Sequence, residues 1–114
     1  MVRVPELADL VVARGDDGVV IAQLRGELDM ETVDAIRARL AEAITSEATR
    51  LVVDLTKVTF MDSSGVELLY RLRAQVAIRQ MQLSLVLAPD ALIRRTLEVS
   101  DGGAELLALT TPDA

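Results

Sequence analysis

Two adjacent serines at the start of a predicted helix are the side chains best placed for chemistry. The segment Phe60-Met61-Asp62-Ser63-Ser64-Gly65 follows shortly after the apolar run 51–55. A strand, a turn and a helix that begins on small polar residues would leave hydroxyl groups exposed at the helix N-terminus. An exposed serine can be phosphorylated, which adds about −1.5 to −2 charges and three acceptor oxygens. The pattern therefore predicts a phosphorylation site at Ser63, beside the Asp62 carboxylate.

A structural role accounts for part of the same segment. Ser64 and Glu67 match a capping box, in which Ser and a Glu three residues later satisfy N–H groups of the first turn. We therefore expect Ser64 to cap the helix and Ser63 to lie just outside it. Because Gly weakens helices, Gly65 in the first turn indicates that another backbone or a partner approaches closely.

A phosphate on Ser63 would experience opposing local effects. The unpaired N–H groups and partial positive charge of a helix N-terminus would stabilise it, whereas Asp62 would repel it. We therefore expect the phosphorylated domain to stay folded. The main effect would fall on a partner that docks over this turn, because unpaired charge in an interface shifts binding by several kcal/mol, of order 2–5.

The composition argues against several classes of function. The 114 residues carry a net charge of −6 with no basic run, which disfavours nucleic acid or an anionic membrane as the partner. The chain has no His and no Cys, so the commonest general base and reactive thiol are absent and we predict no catalytic residue. Residues 1–10 lack the apolar segment of a signal peptide. We expect a single cytoplasmic domain over residues 1–114, with its core at about 8–110.

Hydrophobic patterning predicts an α/β domain. Strands are predicted at residues 10–13, 19–24, 50–55, 83–87 and 105–109, and helices at 29–44, 64–79 and from Pro89 onwards. This order requires a mostly parallel sheet of four to five strands with one antiparallel edge strand, packed by three to four helices. The near-continuous apolar run 50–55 is typical of a strand buried on both faces.

Three aspartates are predicted near the carboxyl ends of the strands. Asp29, Asp54 and Asp62 could together hold Mg²⁺, or form the acidic pocket of a receiver domain. Each also has a simpler explanation, as a helix N-cap, part of a strand and part of a turn, respectively. A receiver would need a Lys after a later strand, whereas the only Lys is Lys57, after the third. We therefore predict no metal and no cofactor.

The segment 60–65, preceded by the run 51–55, resembles the phosphorylation segment of STAS domains, specifically the bacterial anti-sigma factor antagonists. Gly26-Glu27-Leu28-Asp29 resembles the second hallmark of that family, and the resemblance covers about residues 8–110. It implies a STAS fold. It also implies a protein that binds an anti-sigma factor which is itself a serine kinase with a histidine-kinase-like ATPase fold, so that a sigma factor is released.

The resemblance also implies roles for particular residues. Ser63 would be the phosphate acceptor, Asp62, Ser64 and Gly65 would support it, and phosphorylation would abolish binding until a phosphatase reverses it. The residues implied in partner binding are Asp29, Glu31, Ser63, Gly65, Val66 and Glu67. ATP and Mg²⁺ would belong to the kinase. We expect a monomer or a weak homodimer.

Two other functions are compatible with the same sequence. A STAS subunit of an ABC transport complex, or of another non-sigma partner, would not need a phosphorylatable serine, so Ser63 favours the switch. A nucleotide-binding protein would need a phosphate-binding loop, and neither G-x-x-x-x-G-K-[ST] nor G-x-G-x-x-G occurs in the sequence. A partner-switching binding module is the leading interpretation.

Overall fold

The computed structural model describes residues 8–15 and 17–111, which form five strands and four helices. The strands are β1 (Ala8–Arg14), β2 (Val19–Leu28), β3 (Arg50–Met61), β4 (Gln82–Val86) and β5 (Thr110–Thr111). The helices are α1 (Val33–Ala43), α2 (Ser63–Ile78), α3 (Leu92–Val99) and α4 (Gly103–Leu107). Within these ranges, no helix combines the length and apolar character that a bilayer crossing requires.

The strands form one sheet in the order β1-β2-β3-β4-β5. β1 pairs with β2 in antiparallel orientation, and every other pair is parallel. The predicted α/β class and the mostly parallel sheet with one antiparallel edge strand are therefore confirmed. Because consecutive parallel strands are neighbours, each of the three crossovers spans a single step in the sheet. These crossovers are β2-α1-β3, β3-α2-β4 and β4-α3-α4-β5.

One face of the sheet carries the core, and the other is more open to solvent. Along β3, Leu51, Val53 and Leu55 are buried, whereas Val52 and Asp54 between them are only half-buried. The prediction that this strand is buried on both faces was therefore wrong. The side chains at the alternate positions remain partly exposed, although an apolar residue such as Val52 suits a strand that is buried on both faces.

Two predicted boundaries near the C-terminus were also wrong. The predicted strand 105–109 is instead helix α4 followed by a turn, and the last strand is only Thr110–Thr111. Pro89 and Asp90 lie in a turn, and α3 begins at Leu92. An apolar run this short does not distinguish a strand from one helical turn, because both can bury the same side chain, here Leu106.

A bulged stretch of β3, with one extra residue at each of two register shifts, lies opposite the end of β2 and brings the second sequence hallmark into place. Gly26 has φ 89°, in the left-handed region that favours glycine, and the β2–β3 register shifts on both sides of it. Beyond the bulge the ladder resumes and pairs Leu28 with Met61. The two hallmark segments therefore end side by side at one edge of the sheet.

Candidate functional site

Asp62 is the N-cap residue of α2. Its Oδ1 accepts a hydrogen bond from the Ser64 N–H at 2.8 Å, and its carbonyl oxygen accepts from the Gly65 and Val66 N–H groups at 3.1 and 3.2 Å. The expectation that Ser64 is the cap was therefore wrong, because the carboxylate two residues earlier already satisfies the first free N–H group. Glu67 does not complete a capping box; it forms an ion pair with Arg71 at 2.6 Å.

Ser63 is the first residue of α2 rather than the last residue before it. Its side chain is exposed, whereas Ser64 is half-buried. Within the described residues the Ser63 hydroxyl has no hydrogen-bond partner. The two serines are thus distinguished by their surroundings, and the more accessible hydroxyl is the one predicted to accept a phosphate.

Asp62→Ala should destabilise the domain by about 1 kcal/mol, the usual cost of a lost N-cap. Ser64→Ala is the matched control, two residues further along the chain. It should change the free energy of unfolding by less than about 0.5 kcal/mol, because the Ser64 hydroxyl makes no hydrogen bond among the described residues. Urea unfolding followed by circular dichroism measures both variants. Equal losses for the two variants, or a larger loss for Ser64→Ala, would contradict the assignment of the cap to Asp62.

Gly65 is buried and is required by the packing of the domain itself. A Cβ atom built on it would lie 2.6 Å from Met61 Cγ, 3.0 Å from Leu28 Cβ and 3.1 Å from the Leu28 carbonyl oxygen. The close approach that the sequence indicated is therefore made by the chain's own two strand ends. Val66 is also only 3% exposed, so these two residues can shape a docking surface but offer a partner little area.

Asp29 organises the segment before α1 without being its N-cap residue. Its Oδ1 accepts hydrogen bonds from the N–H groups of Glu31 at 2.9 Å and Thr32 at 3.2 Å. Thr32 occupies the N-cap position, and its hydroxyl donates to the Glu27 carbonyl oxygen at 2.7 Å. The prediction that Asp29 is the N-cap of α1 was wrong. Its carboxylate stabilises the turn that precedes the helix, and the N-cap position lies three residues later, at Thr32.

The backbone holds the two hallmark segments together. The Asp62 N–H donates to the Leu28 carbonyl oxygen at 3.1 Å, which continues the β2–β3 ladder into the turn. Leu28 itself is fully buried. Asp29 and Glu31 therefore lie where β2 and β3 end, as Ser63 does. Strand order predicted this position for Asp29, whereas the family resemblance implied Glu31.

Asp54 does not lie near Asp29 and Asp62, because β3 continues for seven residues beyond Asp54. At about 3.3 Å per residue, eight residues separate it from Asp62 by roughly 26 Å along the chain. Burial alone would raise the pKa of the Asp54 carboxyl, but hydrogen bonds from the Thr56 hydroxyl and N–H and from Gln23, with the charge of Lys57, lower it overall. In the part of the chain that the structure covers, no three acidic side chains are grouped to hold a metal ion.

Two grooves flank the start of α2. The first, the α1–α2 groove, has a volume of about 220 Å³ and is lined by Met30, Val33, Asp34, Arg37, Ser64, Glu67, Leu68 and Arg71. The second, the α2–α4 groove, has a volume of about 580 Å³ and is lined by Ser63, Val66, Glu67, Tyr70, Ser100, Asp101, Gly102 and Glu105. Glu67 borders both, so it stands at the centre of the surface around the acceptor.

Sequence reasoning missed several residues of these grooves. Met30 is 78% exposed at the mouth of the α1–α2 groove, and the turn 100–102 forms the far wall of the α2–α4 groove. The segment 101–103 carried a signal, its two glycines, but it predicted only a break. Gly102 has φ 78° and lies so close to Tyr70 that an added Cβ would be 2.7 Å from the ring.

The α2–α4 groove is acidic beside Ser63. Glu67, Asp101 and Glu105 contribute carboxylates, and Glu105 is paired with Arg73 at 2.9 Å. Among the described residues, none of the side chains that line this groove is basic. A phosphate on Ser63 would therefore add negative charge to a groove whose described lining is already acidic.

Comparison with known proteins gives a consistent result. The STAS domain family matches residues 11–106. An anti-sigma F factor antagonist of Lysinibacillus sphaericus is 34% identical over 97 residues, which cover 83% of this chain and 81% of that protein. The solved unphosphorylated form of the anti-sigma factor antagonist SpoIIAA superposes with a TM-score of 0.71 at 27% identity, over 93% of this chain and 89% of that one.

A second solved structure, of the Bacillus cell fate determinant SpoIIAA in its phosphorylated form, gives a TM-score of 0.70 at 22% identity. It covers 93% of this chain and 92% of that one. At this identity the likeness concerns the fold alone. Together with the family match, it confirms the STAS fold predicted from the two sequence hallmarks.

Proposed function

The chain belongs to the STAS domain family, in the group of anti-sigma factor antagonists, and from this premise we propose a phosphorylation-controlled binding function. In the unphosphorylated form the domain binds an anti-sigma factor that carries a serine kinase domain of histidine-kinase-like ATPase fold, and a sigma factor is thereby freed. Phosphorylation of Ser63 ends this binding, and a phosphatase restores it. The domain is a cytoplasmic binding module, and the kinase supplies ATP and Mg²⁺.

One observation carries this proposal: the exposed Ser63 hydroxyl, free of internal partners, at the first position of a capped helix. Because Asp62 already caps the helix, Ser63 has no structural task that a phosphate would disturb. Its backbone is held by the helix, so the hydroxyl is presented in a defined place. Such a serine is suited to be modified and recognised rather than to stabilise the fold.

The binding surface in this proposal extends from the acceptor along the side of the domain where β2 and β3 end. Ser63 and Glu67 contribute from α2, and Asp29 and Glu31 contribute from the turn before α1. Gly65 and Val66 support this surface from below. A partner that fits the neutral Ser63 would bury a phosphate of about −1.5 to −2 charges against the α2–α4 groove, where the described lining residues include no basic side chain to compensate it. Burying an unpaired charge costs several kcal/mol, enough to reverse binding.

The test is to incubate the full chain with Mg²⁺-ATP and the candidate anti-sigma kinases of its organism, and to map phosphate by peptide mass spectrometry. We expect one phosphate, on Ser63, and loss of the complex on a native gel. Ser63→Ala should take up no phosphate, and Ser64→Ala, its matched control, should be labelled as the parent is.

Two outcomes would contradict the proposal. Phosphate on Ser64 instead of Ser63 would show that accessibility does not select the acceptor. Stable binding to a transporter ATPase, with no phosphate from any kinase, would assign the domain to a transport complex.

A further inference from the structure

The outer edge of β1 carries backbone groups that do not pair within the sheet. The Gly15 N–H donates to the Val19 carbonyl oxygen at 2.9 Å, in the same register as the β1–β2 ladder. In an antiparallel pair, the backbone N–H and C=O groups of successive residues point alternately towards the partner strand and away from it. Residues 9, 11 and 13 therefore face β2, and the N–H and C=O groups of residues 8, 10, 12 and 14 point to the outer edge.

At Leu10 this edge is closed by two side chains. The Leu10 N–H donates to Oδ1 of Asp9 at 2.7 Å, and Nη2 of Arg39 donates to the Leu10 carbonyl oxygen at 2.6 Å. The same Asp9 oxygen accepts from Nη1 of Arg39 at 2.9 Å. These three bonds form what we call the Asp9–Arg39 clamp. In the described ranges 8–15 and 17–111, no strand pairs with this side of β1.

We propose that the β1 edge is a homodimerisation surface for a second copy of this chain, and that the Asp9–Arg39 clamp holds it closed. A free edge strand is a template for pairing with another strand, and natural proteins protect such edges with charged side chains. The clamp is a protection of this kind, placed at one point of a seven-residue strand. Val12 is the next residue whose backbone N–H and C=O groups point to the outer edge, and these groups have no partner among the described residues.

The sequence of β1 favours an antiparallel pairing with itself. With Val11 on the two-fold axis, Val11 faces Val11 of the second copy, and Leu10 faces Val12. Apolar and β-branched residues directly opposite each other stabilise a strand pair, and no like charges face each other in this register. Val11 is 45% exposed on the open face of the sheet, so the pairing would also bury apolar surface. An isologous contact of this type closes as a dimer.

The clamp and the dimer compete for the same atoms. In this register the Leu10 N–H and C=O would bond to Val12 of the second copy, and these are the groups that Asp9 and Arg39 now occupy. The two clamp side chains are each about half exposed, at 47% and 48%, so they are held weakly and can be displaced. This competition involves neither Ser63 nor any anti-sigma factor.

The test is the oligomeric state of Arg39→Ala, measured by sedimentation velocity over a dilution series of the full chain. We expect the parent to sediment as a 12.3 kDa monomer and the variant to form a dimer of twice that mass. Its association constant should exceed that of the parent by about tenfold or more, as expected if each subunit loses one exposed competing ion pair. Arg37→Ala is the matched control, because Arg37 pairs with Asp34 on the same helix, and it should behave as the parent.

A second substitution locates the interface. Val11→Lys, introduced into the Arg39→Ala chain, would place two like charges opposite each other on the axis and should return the protein to a monomer. Circular dichroism would show that each variant is folded. A folded Arg39→Ala chain that stays monomeric overturns the proposal. So does a dimer that persists with Val11→Lys, since its interface would then lie elsewhere.

Discussion

Ser63→Asp should weaken binding to the anti-sigma factor by about 100-fold or more while leaving the domain folded. The carboxylate would replace an exposed hydroxyl that makes no internal hydrogen bond, so the folded state loses nothing. At the interface, the same carboxylate would be buried beside Asp62 and Glu67 with no basic side chain in the α2–α4 groove to pair with it. Unpaired interfacial charges cost about 2–5 kcal/mol, which corresponds to this loss of affinity.

Isothermal titration calorimetry with the purified anti-sigma factor measures the effect. Ser63→Ala should keep the affinity of the parent, because it removes only the hydroxyl. Ser46→Asp is the matched control: it makes the same substitution at an exposed serine in the turn between α1 and β3, outside both grooves. If Ser63→Asp binds as tightly as Ser46→Asp, charge at position 63 is not the switch. If it unfolds the domain, Ser63 has a structural role that the structure does not show.

Gly103→Ala should destabilise the domain by about 3 kcal/mol, through crowding at the junction of α3 and α4. A Cβ atom on Gly103 would lie 1.6 Å from the Leu97 carbonyl oxygen, which is backbone and cannot rotate away. Relief would require α4 to move, and with it Leu106, which is fully buried. Moving α4 would also displace the turn 100–102 that walls the α2–α4 groove, so weaker partner binding should accompany the loss of stability.

Thermal unfolding followed by circular dichroism measures this loss, which should lower Tm by roughly 12–20 °C for a domain of this size. Gly15→Ala is the matched control. Its Cβ would lie 2.9 Å from the end of the Asp17 side chain, which can move, and 3.8 Å from the Val19 carbonyl oxygen, an ordinary van der Waals distance. That variant should change the free energy of unfolding by no more than about 0.5 kcal/mol. Similar Tm values for the two variants would show that the α3–α4 junction can relax, against the packing described here.

Sequence reasoning identified the candidate acceptor but assigned the surrounding roles incorrectly in part. The spacing of small polar residues before an apolar helix pointed to Ser63, and strand order placed Asp29 at the same edge of the sheet. Glu31 came from the family resemblance. Which oxygen satisfies the first free N–H group of α2 could not be read from the spacing. Both Asp62 and Ser64 carry a suitable acceptor, and only the path of the chain out of β3 decides between them.

The roles of Gly65 and of the turn 100–102 depend on residues far away in the sequence. The space that Gly65 leaves is filled by Leu28, 37 positions earlier, and by the Met61 side chain. The turn 100–102 lines the same groove as Ser63, and Gly102 in this turn lies against the ring of Tyr70. No local pattern encodes either contact. The sequence alone shows a glycine in an unexpected place, but it does not show which residue approaches that glycine.

By itself, the sequence determined the α/β class, the alternation of strands and helices and the presence of two serines where α2 begins. Periodicity, chain breaks and helix-start chemistry act over a few neighbouring residues, so their outcome is legible in the order of the amino acids. Only the tertiary structure decided that β3 has an open face, that α4 replaces a predicted strand and that Asp9 and Arg39 close the edge of β1. These features arise because segments distant in the sequence can pack on the same core face or bond to the same backbone groups. Which segment does so depends on the fold of the whole chain.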